Sequence, residues 1–416
     1  MKTTLQVPKT VEDSALTDAI KTALLALNGG VLGSGLFLGG TAAAWSLIGL
    51  QQFIGYFAYI NIPYPSHLEK FFALFLNNNL DFLPNPFQTL TEFISETWDS
   101  AVNPQDSLER YQLPYKFKEL ETPTLFIVNA GSIFSSCLVV LLLPCLLDCL
   151  RKLTLFKNLK ALAILHSNLR WNIPFRIFLE SGVPLLFAVL IQIRKITYAN
   201  IPNAISTSTA VLAFIYFCVM LQCVFRDIAS LKKENLKDPI IENSIGTLFE
   251  GLRMKKYRAW GKYYYFIVLL RGVLLVFMDT FTDFLPSLQI GSLITFNMFF
   301  ACYAWTVIEF ESRYITWTTR IKEVLILMVE IFLLVLYVQE GEKPYEDMIG
   351  WIIIVTLGVV LAMEICYGVY LHILAVVELW TRIKKILCKK KKRKIRKVSF
   401  ATDVETFPGD STSTLQ

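Results

Sequence analysis

The chain has 416 residues, of which 54% are hydrophobic and 18% charged, and its net charge is +6. Its mean hydropathy of +0.49 lies outside the range of ordinary soluble domains, so the composition excludes a soluble globular protein and predicts a polytopic membrane protein. The expected fold class is all-α: a transmembrane helix bundle of about eight spans with a small non-cytoplasmic cap between spans 1 and 2.

The N-terminal part of the chain divides into a polar segment and a long uncharged one. Residues 1–21 are expected to be a cytoplasmic N-terminus, and no charged residue occurs from Thr22 to Leu68. We interpret residues 22–60 as the first transmembrane span with a Gly-rich approach, although the run exceeds the roughly 20 residues that one crossing needs and could also cross twice. Small residues recur at every fourth position, which favours close helix packing within this chain or between chains: Gly35, Gly39 and Ala43.

Residues 61–122 are predicted to form the cap. Nine acidic and four basic residues lie between Glu69 and Glu121, and this acidity is typical of the non-cytoplasmic side. The aromatic content of the segment favours short amphipathic helices over 68–76 and 87–98 rather than a flexible linker.

Residues 123–380 are predicted to form the bundle proper, with seven further spans. We expect them at about 124–150, 171–193, 203–224, 263–285, 289–310, 323–338 and 350–380, from the lengths of the apolar runs. Basic segments follow the second, fourth and eighth spans, at 151–170, 226–262 and 381–397. Because positively charged loops stay in the cytoplasm, both termini are expected there.

The span at 263–285 contains Arg271, and a charge at this depth costs at least ~2.5 kcal/mol unless it is paired. The helical rise places four charged residues in one layer of the cytoplasmic half: Arg176, Glu180, Arg271 and Glu330. Arg176 and Glu180 have a spacing that allows a pair on one helix face. We expect Arg271 to pair with Glu330 or, failing that, with Glu180. The layer could clamp helices together, or it could bind a cation or lipid headgroup or act in gating.

Three further acids are candidates for pore-facing or ion-binding groups. Glu364 lies nearer the middle of the membrane, and no basic residue is expected at its depth. Asp279 and Asp283 lie near the outer end of their span, where they could form an acidic vestibule that concentrates cations or could simply be solvated.

Residues 381–416 are predicted to be a polybasic and disordered cytoplasmic tail. Basic residues follow the last span directly, a pattern that predicts attraction to anionic inner-leaflet lipid or serves only to fix the orientation: Lys389, Lys390, Lys391, Lys392, Arg393 and Lys394. Cys388 is a candidate palmitoylation site. The Ser/Thr-rich segment from Val398 to Gln416 is predicted to be disordered.

Sequence patterns of catalysis are not found. The chain lacks HExxH, a Walker A loop, G-x-S-x-G and paired CxxC motifs, and it has only three histidines. We therefore expect no enzyme activity, no catalytic residues, no metal site and no cofactor. The expected partners are the lipid bilayer and further copies of the chain or other membrane subunits, with no nucleic acid.

Two stretches carry a resemblance to a known family. Residues 42–87 resemble the segment that opens the membrane region of large ciliate transmembrane proteins, and residues 257–310 resemble the core of the TRP-like (polycystin/flavin-carrier-like) membrane domain. In that core an Arg in an apolar helix precedes a Pro-x-x-Gln turn, represented here by Arg271, Pro286 and Gln289. The long Cys-rich or lipid-binding ectodomain that usually precedes this core is not found.

The resemblance implies a TRP-like integral membrane protein that acts as a cation channel or as a channel subunit. Two alternatives stay open: a structural or accessory subunit of a larger complex, and a small-molecule or lipid transporter.

Overall fold

The computed structural model describes residues 41–76, 116–117, 120, 125–152, 172–194, 201–231, 241, 245–253, 259–339 and 343–404. In this part of the chain the secondary structure is helical, and pairing between extended segments is limited to one isolated bridge, Leu252 to Phe310. The predicted all-α class is confirmed.

The main helices, in chain order, are α1 Thr41–Tyr56, α2 Ser66–Leu76, α3 Phe126–Lys152, α4 Asn172–Arg194, α5 Ile201–Ser230, α6 Tyr264–Phe281, α7 Pro286–Thr306, α8 Arg313–Val338 and α9 Lys343–Val404. Short 3₁₀ turns occur at Phe57–Tyr59, Gly246–Leu248 and Ala259–Tyr263. The predicted spans from the second to the sixth match α3 to α7 with small shifts at their ends. Helix α8 begins ten residues before the predicted span, and α9 is much longer than predicted.

Six helices of the described chain are long and apolar enough to cross a membrane: 126–147, 173–194, 203–230, 260–281, 286–306 and 343–370. The protein is therefore a multi-pass integral membrane protein by length and composition. Helix α8 has 26 residues and is also long enough, at about 39 Å, but it carries Arg320, Lys322, Glu323 and Glu330. Helix α1 has only 16 described residues, and residues 1–40 lie outside the described part.

Polar contacts join several helices at one end of the bundle, here called the Asn61 end. The backbone N–H of Asn61 donates to Gln289 Oε1 at 3.0 Å, and its side chain donates to the carbonyl of Asp283 at 2.7 Å. Arg194, the last residue of α4, donates to Asp283 Oδ1 at 3.0 Å and to the carbonyl of Thr280. The C-terminal ends of α1, α4 and α6 and the start of α7 therefore lie together.

The opposite end of the bundle, here called the Glu250 end, is joined in the same way. Arg176 near the start of α4 pairs with Glu250, and Tyr265 near the start of α6 donates to the Glu250 carbonyl at 2.9 Å. Lys262 donates to the carbonyl of Leu231, just after α5, at 3.3 Å. Successive helices from α4 to α7 thus run in alternating directions between the two ends.

Helix α4 lies near the centre of the bundle, in contact with α1, α3, α5 and α6. Its approach to α6 is close because Gly272 has no side chain: a Cβ there would lie 2.6 Å from Val183 Cγ2. Large apolar side chains on the outer faces of α3 and α5 stay exposed, among them Leu142 at 64% and Leu212 at 60%. Such faces are expected where helices meet lipid tails.

Helix α2 lies at the Asn61 end against α1 and the start of α9, which confirms the amphipathic helix predicted at 68–76. His67 stacks on Trp351 with ring centroids 4.9 Å apart. Burial, with the nearby charges of Asp279 and Glu69, raises the pKa of Tyr64 well above its usual value, so its hydroxyl stays protonated and donates to the Phe57 carbonyl at 2.6 Å. The helix predicted at 87–98 and most of the cap lie outside the described residues.

Helix α9 continues far beyond its apolar part. It has 62 residues and ends at Val404, which corresponds to about 93 Å, roughly three times the thickness of a hydrocarbon core. The predicted disorder from Val398 is therefore wrong as far as Val404, and residues 405–416 lie outside the described part.

Candidate functional site

The bundle contains a cavity of about 200 Å³ that is lined by residues of α1, α4, α6, α7, α8 and α9, here called the inner cavity. Five charged residues lie on its wall: Glu180, Arg271, Lys322, Glu323 and Glu364. Seven aromatic residues share the wall: Phe53, Tyr56, Tyr264, Tyr265, Phe300, Phe310 and Tyr367. A cavity with both features can recognise charge and apolar shape together.

Arg271 pairs with Glu323 on α8, not with Glu330 or Glu180 as predicted. Arg271 Nη1 donates to Glu323 Oε2 at 2.7 Å, and the two side chains are 10% and 4% exposed. The prediction failed because helix α8 begins at Arg313, so Glu323 lies about 15 Å inside the helix rather than at its boundary.

Two aromatic rings hold the guanidinium of Arg271 in place. Its Cζ lies 4.2 Å from the ring centroid of Phe53 and 4.9 Å from that of Phe300. Cation–π contacts of this kind are strongest where water is excluded. The Nε and Nη2 atoms of Arg271 are buried and form no hydrogen bond with a described residue.

Glu364 also has a basic partner, contrary to the expectation that its depth held none. Lys322 Nζ donates to Glu364 Oε1. Glu364 is 3% exposed, and its Oε2 atom is buried without a hydrogen bond to a described residue. The pair joins α8 to α9 on the wall of the inner cavity.

Glu180 and Arg176 do not form an ion pair, although their spacing would allow it. Arg176 reaches to Glu250 at the end of the bundle, whereas Glu180 faces the inner cavity. A Cβ on Gly49 of α1 would lie 3.3 Å from Glu180 Oε2, which places this carboxylate against the backbone of α1.

Glu330 lies outside the inner cavity and is completely buried, at 0% exposure. Asn297 Nδ2 on α7 donates to Glu330 Oε1. Beside Asn297 a void of about 10 Å³ lies between Arg271, Asp279 and Gln289, which is room for about one water molecule. The predicted single layer is therefore divided: Glu180 and Arg271 lie at the inner cavity, Glu330 is bonded to Asn297 beside the small void, and Arg176 pairs with Glu250 at the end of the bundle.

Asp279 and Asp283 do not form an open acidic vestibule. Asp279 is 1% exposed, and its Oδ2 atom has no hydrogen bond to a described residue. Asp283 is ion-paired with Arg194 at 3.0 Å. The first acid faces the small void, and the second fastens helix ends together.

The buried polar groups form a file that we call the polar path. It begins at Arg271 and Glu323 on the cavity wall, continues through Asn297, Glu330, Asp279 and Gln289, and reaches Asn61 at the end of the bundle. Sequence reasoning missed Lys322, Glu323, Asn297 and Gln289 in these roles. Amides inside apolar runs are a signal that could have found Asn297 and Gln289, because such groups need partners in a membrane.

The remaining predicted residues belong to the basic extension of α9. Its backbone is helical, and the side chains of Lys389, Lys390, Lys391, Lys392, Arg393, Lys394 and Cys388 lie outside the described residues. Over the described part of the chain no group of three or more His, Cys, Asp or Glu side chains is arranged to hold a metal ion.

Comparisons with family models, with curated proteins and with solved structures find no match for this chain. The resemblance to the TRP-like membrane domain stays a prediction.

Proposed function

We propose that the chain is a TRP-like integral membrane protein that conducts cations, either as a channel or as a subunit of one. The observation that carries the proposal is the polar path, which extends from the inner cavity to the Asn61 end. Ionisable groups inside a membrane are costly and are concentrated on ion and proton routes. The acids of the path make cations the favoured ions.

In the proposed scheme α1, the six apolar helices and α8 all cross the membrane, which gives eight spans. The charges of α8 are compatible with a crossing because Glu323 and Glu330 are buried inside the bundle. The Glu250 end, the N-terminus and the basic extension of α9 are then cytoplasmic, and the extension faces anionic lipid.

The proposed path includes the small void between Arg271 and Asn297. At about 10 Å³ it holds no hydrated ion, so the described conformation is closed. We propose that opening separates α7 from α6 at this point. The second candidate function is a small-molecule transporter, which the size of the inner cavity favours. No specific observation favours the accessory-subunit alternative.

Reconstitution tests the proposal. Purified protein in a planar bilayer, with its oligomeric mass measured in the same preparation, should give a current that reverses near the K⁺ equilibrium potential under a KCl gradient. Glu330→Gln, which removes the charge and keeps the shape, should reduce the cation conductance. Glu311→Gln is the matched control, because Glu311 is exposed and outside the path.

If the folded protein gives no current in several lipid compositions, the channel proposal is wrong. Uptake of a small solute without current would support the transporter instead.

A further inference from the structure

The charges around the inner cavity do not balance. Arg271 is paired with Glu323, and Lys322 is paired with Glu364, so these four residues form two neutral pairs. Glu180 is the fifth charged residue on the wall, and no described residue forms an ion pair with it. The nearest cation on its own helix, Arg176, is engaged by Glu250. An ionised Glu180 would give the wall a net charge of about −1, which is unfavourable inside a membrane unless the carboxyl group is protonated or a cation enters.

A second observation points to a ligand that can donate hydrogen bonds. Glu364 is 3% exposed and lies on the cavity wall, yet its Oε2 atom has no hydrogen bond to a described residue. A buried acceptor without a donor is costly. A ligand carrying N–H groups would satisfy it.

The size and the lining of the inner cavity fit an organic cation better than a metal ion. The cavity volume of about 200 Å³ is larger than a cavity of roughly 150 Å³ that accepts benzene, so a single dehydrated alkali ion would leave most of it empty. Tyr264, Tyr265 and Phe310 supply aromatic surface that suits both an apolar body and a cation.

We propose that the inner cavity binds a small primary ammonium ion with an apolar body. Glu180 pairs with the ammonium group, Glu364 accepts one of its N–H bonds, and the tyrosines pack on the apolar part. This inference rests on the proposed function in one respect, since the cavity lies at the start of the polar path, but binding is measurable without any current.

The test measures binding of radiolabelled 2-phenylethylamine to the full chain in nanodiscs by equilibrium dialysis, with empty nanodiscs subtracted. Saturable binding is expected. Glu180→Gln should weaken it at least tenfold, while Glu311→Gln should leave it unchanged. The uncharged analogue 2-phenylethanol should compete poorly, and sodium ions at the same concentration should not compete.

A second variant keeps the charge and guards against misfolding. Gly49→Ala places a methyl group 3.3 Å from the present position of Glu180 Oε2, so the carboxylate must shift and binding should weaken. Unchanged affinity in a folded Glu180→Gln variant, equal competition by 2-phenylethanol, displacement by equimolar sodium, or no saturable binding would each overturn the proposal. Binding without current would support the ammonium site and contradict the proposed conduction. Current without binding would support conduction and contradict the ammonium site.

Discussion

At the scale of single residues, the packing of the bundle depends on which buried acid pairs with which buried base. Taking Arg271 and Glu323 out of water costs several kcal/mol per ion, and the pair recovers this only with good geometry and further contacts. The 2.7 Å hydrogen bond and the two aromatic rings around Arg271 supply them. Removing one partner therefore leaves a buried charge that nothing compensates.

A double-mutant cycle measures this coupling. Arg271→Ala should destabilise the purified protein by about 3–5 kcal/mol, because Glu323 is left buried and unpaired. Adding Glu323→Ala should restore much of the loss. Adding Glu330→Ala instead should not, since Glu330 is bonded to Asn297. Unfolding in detergent compares these three variants, the Glu323→Ala single variant and the wild-type protein. Recovery in the double variant with Glu330→Ala but not in the one with Glu323→Ala would contradict the pairing described here.

The sequence could predict that Arg271 needs an acid but not which one. Glu323 and Glu330 are seven residues apart, so they lie on nearly the same face of α8 and differ mainly by about 10 Å in depth. Depth depends on where the helix begins, and the polar residues after Arg313 hid that start. The pairing of Arg176 with Glu250 could not be predicted for a different reason. Glu250 lies outside the main helices, and no periodic pattern in the sequence indicates that it contacts α4.

At the scale of helices, the spacing of α4 and α6 depends on Gly272. A methyl group at this position would lie 2.6 Å from Val183, so the helices would have to separate. Gly272→Ala should cost about 1–3 kcal/mol through overpacking, and a second change, Val183→Ala, should recover part of it.

Gly291 provides the matched control for that prediction. It lies on α7, and a Cβ there would meet nothing within 4 Å. Gly291→Ala should be neutral or stabilising by up to about 1 kcal/mol, because Ala is the better helix former. Melting curves of the three variants in one detergent make the comparison. A Gly272→Ala protein as stable as Gly291→Ala would show that the close approach is not maintained.

The basic extension of α9 gives a prediction at the same scale. A peptide of residues 381–398 should bind vesicles that contain phosphatidylserine and should bind less as salt rises, since each base contributes about 1 kcal/mol near the surface and screening acts over a Debye length of about 10 Å at 0.1 M. Vesicle sedimentation measures it. A peptide with Gln at 389–394 is the control. If the original peptide binds neutral vesicles equally well, the basic residues serve only to fix the orientation of the chain in the membrane.

Helix positions from α3 to α7 were predictable because apolar runs of about 20 residues fix them. The start of α8 and the end of α9 are not predictable in this way, because Lys and Arg residues interrupt the apolar runs there. These residues are good helix formers, so a charged stretch marks the edge of the apolar region and not the end of the helix. This accounts for the helical residues 313–322 and 381–397.

At the scale of the whole molecule, the number of crossings decides on which side each end lies. Between residue 105 and the C-terminus the chain passes through the six apolar helices and α8. If α8 crosses, seven crossings place the two positions on opposite sides. If α8 does not cross, six crossings place them on the same side. Its buried Glu323 and Glu330 face the bundle, which favours a crossing.

Engineered glycosylation sites distinguish the two cases, because the sequence contains no native N-x-Ser/Thr motif. Gln105→Asn creates such a motif with Ser107, and Asp410→Asn creates one with Thr412. Expressed in cells that glycosylate secreted proteins, the first variant should gain a glycan that endoglycosidase removes, and the second should not. Glycosylation of both would mean that α8 does not cross. Glycosylation of the second alone would invert the whole orientation and place the basic extension of α9 away from the anionic leaflet.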